Sequence, residues 1–354
     1  MIHRQTCPPK PILLAIIVGL LALFCSACLA PEPTQEEIEA MWAASAHADT
    51  EAPAFSNWND RDPAVISESC AKCHSTSGYH DFLGMDGATP GQVDQPVPVG
   101  ESVECDACHN DVVKGQHTVV MPSGAQIEDL GESASCSDCH QGRASTVSVQ
   151  EAIGEWEADT VNAELEFINI HNNAVAAMVH GAGARSGYEY ADHTYAGFYD
   201  HVPGFNSCTE CHSPHSLEVE AQSCSVCHLG AKTTEDLKHI RMTDTDYDGD
   251  GDISEGIAGE IETMSERLLL AMQIYAARGE GTDRITYVDG RPYFAGEDGE
   301  GYSTWTPRLF RAAYNYHYAQ KGAGAYAHNA PYVIQLLYDS LEDMGAAIPN
   351  MSRP

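Results

Sequence analysis

The sequence predicts a mainly α fold with extensive irregular loops, in which a small C-terminal helical domain packs beside a long region with little regular structure of its own. Three observations predict it. Between Trp58 and Leu229 the chain is loop chemistry, rich in Gly, Pro, Ser, Asn and Asp, with few periodic apolar runs. Five Cys-x-x-Cys-His pentads punctuate that region, starting at Cys70, Cys105, Cys136, Cys208 and Cys224. Past Leu237 the pattern turns to helical periodicity, and no further pentad occurs.

The first element is a leader, residues 1–27. Arg4 and Lys10 form a positive n-region, and Ile12 to Phe24 is an uninterrupted apolar stretch of signal-peptide length. Cys25-Ser26-Ala27-Cys28 follows, with the small residues that precede an acceptor cysteine in a lipoprotein signal, so the expected product is cleaved before Cys28 and lipidated on that thiol. Ordinary cleavage nearby, or an uncleaved helix from Pro11 to Ala30, are the other readings. All three place the remainder outside the cytoplasm, as a cell-surface or outer-membrane lipoprotein or an extracellular protein. Residues 28–57 read as a Pro/Glu-rich tether followed by a short helix over Glu36 to Ala48.

Residues 58–236 carry the pentads. Two thiols at this spacing form thioethers to the vinyl groups of a c-type haem, and the adjacent histidine fills one axial position on iron. Chance would supply on the order of 0.02 such pentads in a chain of this composition. The attachment cysteines are therefore Cys70, Cys73, Cys105, Cys108, Cys136, Cys139, Cys208, Cys211, Cys224 and Cys227, and the proximal ligands are His74, His109, His140, His212 and His228. Zinc ribbons and thioredoxin-like pairs also use Cys-x-x-Cys, but neither needs a histidine after the second cysteine each time. The pentads consume ten of the 13 cysteines, and the other three lie within the first 28 residues, which leaves no disulfide framework in the mature protein. Uneven spacing between pentads argues against a tandem repeat.

Five irons need five second axial ligands. Seventeen histidines are present, and eleven lie outside both the pentads and the leader. Two neutral imidazoles per iron give a low-potential centre suited to electron transfer. His215 follows a pentad so closely that His212 and His215 must serve neighbouring haems; His117, His171, His201 and His47 complete the expected distal set. His80, His180, His193, His239, His317 and His328 read as surface or capping histidines, with room for one to displace a member of that set.

Residues 237–256 form an acidic junction. Asp244, Asp246, Asp248, Asp250, Asp252 and Glu255 fit a twelve-position EF-hand loop with Gly249 at position six, and calcium is the natural occupant of so many hard oxygens. A register starting at Asp246 puts Gly251 at six but loses the acid at twelve. Residues 257–354 complete the chain. Ile257, Ile261, Met264, Leu268, Met272 and Tyr275 recur at helical intervals, as do Val333, Leu336, Leu337, Leu341 and Met344, and Pro307 through Lys321 is a third helix with proline in its first turn. The tyrosines here read as core rather than electron conduit.

Formal charge is −34, from 52 acidic and 18 basic residues, before haem propionates are added. Such a field repels nucleic acid, and no basic stripe is present, which excludes that class.

Several stretches together resemble the haem region of extracellular multihaem cytochromes. These are Trp42 with Ser45-Ala46-His47-Ala48-Asp49, Gln141-Gly142-Arg143, Asn169-Ile170-His171, Gly187-Tyr188-Glu189-Tyr190, and the fourth pentad with its Ser213-Pro214-His215-Ser216 tail. That family includes tetrahaem subunits that polymerise into conductive filaments; this chain has five pentads. The resemblance implies bis-histidine ligation with His47, His117, His171, His201 and His215 as distal ligands, and an extracellular electron-transfer role. It also implies self-association in which His47 ligates a haem of a neighbouring subunit, the other reading being ligation within its own chain in a monomer. The expected function is that of a non-enzymatic carrier passing electrons to other redox proteins or an extracellular acceptor. The alternative is a multihaem reductase of a nitrogen or sulfur oxyanion, which would need an open iron position and cationic groups around it.

Overall fold

The computed structural model describes residues 32–279, 283–288 and 290–354. The leader and its lipidation site at Cys28 lie outside the described residues. Helix α1, Gln35–Ala43, starts in a capping box in which the Glu37 amide donates to Thr34 Oγ1 at 3.3 Å and the Thr34 amide donates to Glu37 Oε2 at 2.8 Å. It stops short of the expected Ala48. The Trp42 indole donates to the Val103 carbonyl at 3.0 Å and the Val103 amide to the His47 carbonyl at 3.2 Å, which turns the chain and pins it beside the second pentad.

Short helices then carry the pentads: α2, Glu68–His74, followed by α3, Thr76–Phe82; α4, Cys105–Cys108; α5, Ser133–Cys139. After α6, Val175–His180, come α7, Cys208–Cys211, and α8, Ala221–Cys224. The pentads wind into a turn for a local reason. In four of them the histidine amide bonds back to the carbonyl of the first cysteine, at 2.9 Å for His109 and His140 and 2.8 Å for His212 and His228. One α-turn puts residues three apart on the same face, so both thiols of a pentad point the same way. Three two-residue antiparallel ladders, Val65–Ile66 with Val97–Pro98, Val119–Val120 with Gln126–Ile127, and Thr286–Tyr287 with Phe294–Ala295, clip the intervening loops.

The long helices are α9, Ile257–Arg278, α10, Pro307–Lys321, and α12, Ala330–Asp343, with the short α11, Ala325–His328, between the last two. Helix α12 starts three residues before the periodic run at Val333, because Asn329 caps it by accepting from the Tyr332 amide at 3.2 Å. Met264, Leu268 and Met272 of α9 meet Leu309, Phe310 and Tyr314 of α10 and Val333, Leu337 and Leu341 of α12 in one core. Val149, Ile153, Leu165, Ile170, Met178 and Tyr188, from between the third and fourth pentads, belong to the same core. The long inter-pentad gap is thus packed onto the C-terminal helices. Tyr314 and Tyr332 are fully buried there with satisfied hydroxyls: Tyr314 donates to the Ser186 carbonyl at 2.8 Å and Tyr332 to Glu189 at 2.9 Å. Among the described residues no helix is long and apolar enough to cross a membrane.

Candidate haem centre

Each pentad histidine faces one histidine from elsewhere in the same chain. Ring centroids are 5.8 Å apart for His74 and His171, 6.1 Å for His109 and His215, and 6.2 Å for His140 and His47. For His212 and His328 the separation is 6.4 Å, and for His228 and His201 it is 5.9 Å. Two imidazoles bound to opposite sides of one metal, with bonds of roughly 2 Å, bring their ring centroids about 6 Å apart. The ring planes cross at 77° and 78° in the first and last pairs and lie within 28° of parallel in the other three.

Burial holds the His47, His171 and His328 imidazoles down to about 4 and lowers those of His74 and His140. They are therefore neutral near pH 7, the form in which imidazole binds metal. Backbone carbonyls fix two of the rings. His328 Nδ1 lies 2.9 Å from the Ala323 carbonyl and His212 Nδ1 lies 3.2 Å from that of Leu217, which leaves Nε2 of each as the nitrogen available to a metal. His171 sits at φ 75°, a costly backbone conformation for a non-glycine residue. Asn169 holds it there: its Oδ1 accepts from the His171 amide at 2.9 Å and from His317 Nε2 at 2.8 Å.

All ten pentad cysteines and all ten paired histidines line one cavity of about 3340 Å³. A single small-molecule pocket measures roughly 300–1,000 Å³. The pentads are also neighbours in an order different from their order in the chain. Cys73 and Cys139 are within hydrogen-bonding reach, Cys73 Sγ lies 4.0 Å from the Asp138 carbonyl and Cys139 Sγ lies 3.8 Å from that of Lys72, so pentads one and three run side by side. Lys72 Nζ meets the buried Asp138 at 3.3 Å, and Tyr79 and Gln116 donate to the same carboxylate at 2.9 and 2.6 Å. Cys108 reaches Ser135 beside pentad three, and Cys136 reaches Cys208 of pentad four. The Cys211 thiol feels that of Cys224 in pentad five. Two thiols and a histidine from each pentad, with a second histidine opposite, fit covalently held haem with two axial imidazoles. The clustered metal-binding groups among the described residues contain no cysteine, which does not fit a zinc ribbon.

Of the expected distal set, His47, His171, His201 and His215 stand opposite pentad histidines. His117 does not. It is an exposed residue on the rim of the cavity, and the ring opposite His212 belongs to His328. His215 pairs with His109 and not with its neighbouring pentad, in line with its crowding against His212. His47, read as ligating either a neighbouring subunit's haem or one of its own chain, lies opposite His140 of its own chain, and the Trp42 bond to the Val103 carbonyl tethers its segment there. Among the acids expected to hold calcium, Asp246, Asp248, Asp250 and Glu255 converge, Asp244 and Asp252 do not belong to the clustered groups, and the buried Glu260 joins them.

No family model and no solved structure matches the chain. Among curated proteins, the C-type polyheme cytochrome OmcB of Geobacter sulfurreducens is 23% identical over 381 aligned positions, covering 83% of this chain and 46% of that protein. The C-type polyheme cytochrome OmcC of the same organism is 23% identical over 406 positions, covering 91% and 48%. The chain spans about half the length of the curated relatives it matches. Pentads, paired histidines and these distant relatives agree: at family level, the chain resembles the multihaem c-type cytochromes.

Proposed function

We propose that this chain is a pentahaem electron carrier, exported from the cytoplasm and tethered to a membrane through lipid on Cys28, that passes electrons along a row of bis-histidine haems. The observation that carries the reading is the one-to-one pairing of five pentad histidines with His171, His215, His47, His328 and His201. Haem iron with two axial imidazoles supplies one-electron exchange without an open coordination site. The chain supplies the rest. The Lys72–Asp138 pair holds pentad one against pentad three, and the attachment cysteines of three and four (Cys136, Cys208) and of four and five (Cys211, Cys224) lie next to each other, which would make the haems they carry neighbours. The spatial row one, three, four, five, with pentad two beside three, supports a relay between the two ends. The strong negative charge favours cationic redox partners or an oxidised metal as acceptor.

The rival reductase needs a free sixth position on one iron, and the pairing of all five supports the carrier instead. Intact mass and a pyridine haemochrome assay on matured protein should give five covalent haems, low-spin in both redox states. Fewer haems would refute the count, and carbon monoxide binding by the untreated reduced protein would transfer the case to the reductase.

A further inference from the structure

The loop between the last pentad and helix α9 carries acids at alternate positions, and the structure singles out one of them. Asp248 is 0% exposed; its Oδ1 accepts the Asp250 amide at 2.9 Å, but its Oδ2 has no hydrogen-bond partner. The Thr263 side chain lies near Asp248 without meeting hydrogen-bond geometry. A buried, unpaired carboxylate oxygen is costly unless something positive meets it. Oxygens of Asp250 and Glu255 lie with one from Asp248 inside a 4.8 Å cluster, and Glu255 Oε1 is likewise buried and unpartnered. Glu260 and Asp246 stand alongside; Glu260 Oε1 also lacks a hydrogen bond, but the Arg241 guanidinium already meets its charge. Glu260 Oε2 accepts the Tyr247 and Asp248 amides at 3.0 and 2.8 Å and its Oε1 lies 2.5 Å from Arg241. Asp246 accepts the Gly249 and Gly251 amides at 2.5 and 2.9 Å.

We propose that the free oxygens of Asp248, Asp250 and Glu255 bind one calcium-class divalent cation, with Asp246 as the first residue of the loop. The Gly251 amide bond to Asp246 sets this register, with Gly251 at the sixth position, and Glu255 supplies the acid that the register lacks at its twelfth. Hard oxygens in a flexible ring select calcium over softer transition metals. The loop is a junction of three segments. Arg241, just past the fifth pentad, donates to the Thr243 carbonyl at 2.8 Å and that of Glu255 at 3.2 Å; Glu255 leads into α9; and the Ser352 amide of the C-terminal tail donates to the Tyr247 carbonyl at 3.1 Å. Gly249, at φ 75°, has Met351 N 2.8 Å from where a Cβ would stand, so the tail is seated directly on the loop. A cation here pins the end of the haem region to the C-terminal helices.

The test uses the full holoprotein, stripped with a chelator, dialysed and titrated with calcium chloride by calorimetry, with elemental analysis and thermal melts in parallel. One calcium per chain and a higher melting temperature are expected. Asp248→Asn and Glu255→Gln should weaken binding at least tenfold, and Asp244→Asn, outside the cluster, should leave it unchanged. If Asp248→Asn fails to fold, the exposed Asp250→Asn gives the same readout. No calcium uptake at millimolar concentration overturns the proposal, and so does uptake that survives the Asp248, Asp250 and Glu255 variants.

Discussion

His328→Ala is the sharpest probe of the ligand set, because the sequence favours His117 as a fifth distal ligand and the structure seats His328 opposite His212. With five pairs, loss of one distal ring should convert one haem in five, a fifth of the total, from six- to five-coordinate. The rest of the molecule should change little. His328 is partly buried on the four-residue helix α11, and the bond its ring makes to the backbone, Nδ1 to the Ala323 carbonyl at 2.9 Å, is worth about 1 kcal/mol. Gly324→Ala offers a gentler version. Gly324 sits at φ 70°, and a Cβ there would stand 3.0 Å from His328 Cε1, pushing the ring off its axis without removing it. Carbon monoxide titration of the reduced protein, quantified against total haem, should bind a fifth of the haem in His328→Ala, less in Gly324→Ala and none in His117→Ala. A fully low-spin His328→Ala, or a carbon-monoxide-binding His117→Ala, would refute the assignment.

Two further outcomes follow from the packing around the centre. Asp138→Ala strands Lys72 and the Tyr79 hydroxyl between pentads one and three, and should cost about 3–5 kcal/mol by denaturant titration; an unchanged midpoint would show that the pair does not join the pentads. Burial first, and the Lys321 charge second, hold His317 down at about 3, while its ring lies among Phe167, Tyr287 and Tyr293. Above pH 6.5 folded and unfolded states both keep it neutral; below that the unfolded chain alone takes up the proton. Its contribution is therefore fully present above pH 6.5 and is lost at up to about 1.4 kcal/mol per unit as pH falls toward 3. His317→Gln should flatten the stability profile between pH 4 and 6.5, and a slope equal to that of the unaltered protein would contradict this.

What the sequence made legible was whatever is local. A pentad announces its cysteines and proximal histidine within five residues, and helices α9 and α10 announce themselves by apolar period and by Pro307. The distal ligands divide on the same ground. His215 is marked by its crowding against a pentad, whereas His328 lies 116 positions beyond His212 with nothing in its neighbours to distinguish it from a surface histidine. His117 attracted notice through closeness to His109 and through the family resemblance, and neither decides which way a ring on a loop turns. The calcium loop shows the same limit: alternating acids mark the segment, but the role of Glu260 depends on how α9 folds back toward Arg241. The Lys72–Asp138 pair between pentads was invisible because both residues occupy the variable positions of their motifs.

The histidine pairs also have a topology. Written as spans along the chain they run 47 to 140, 74 to 171, 109 to 215, 201 to 228 and 212 to 328, and each overlaps the next. Closing such loops draws entropy out of the unfolded chain, by about 4.7 kcal/mol for a permanent link across a hundred residues. Because the spans interlace, none can be opened as a separate hairpin, and the last is closed by a residue near the C-terminus. The chain between residues 47 and 328 is therefore laced: each pairing closes across part of the next, and the last can close only once His328 has reached His212.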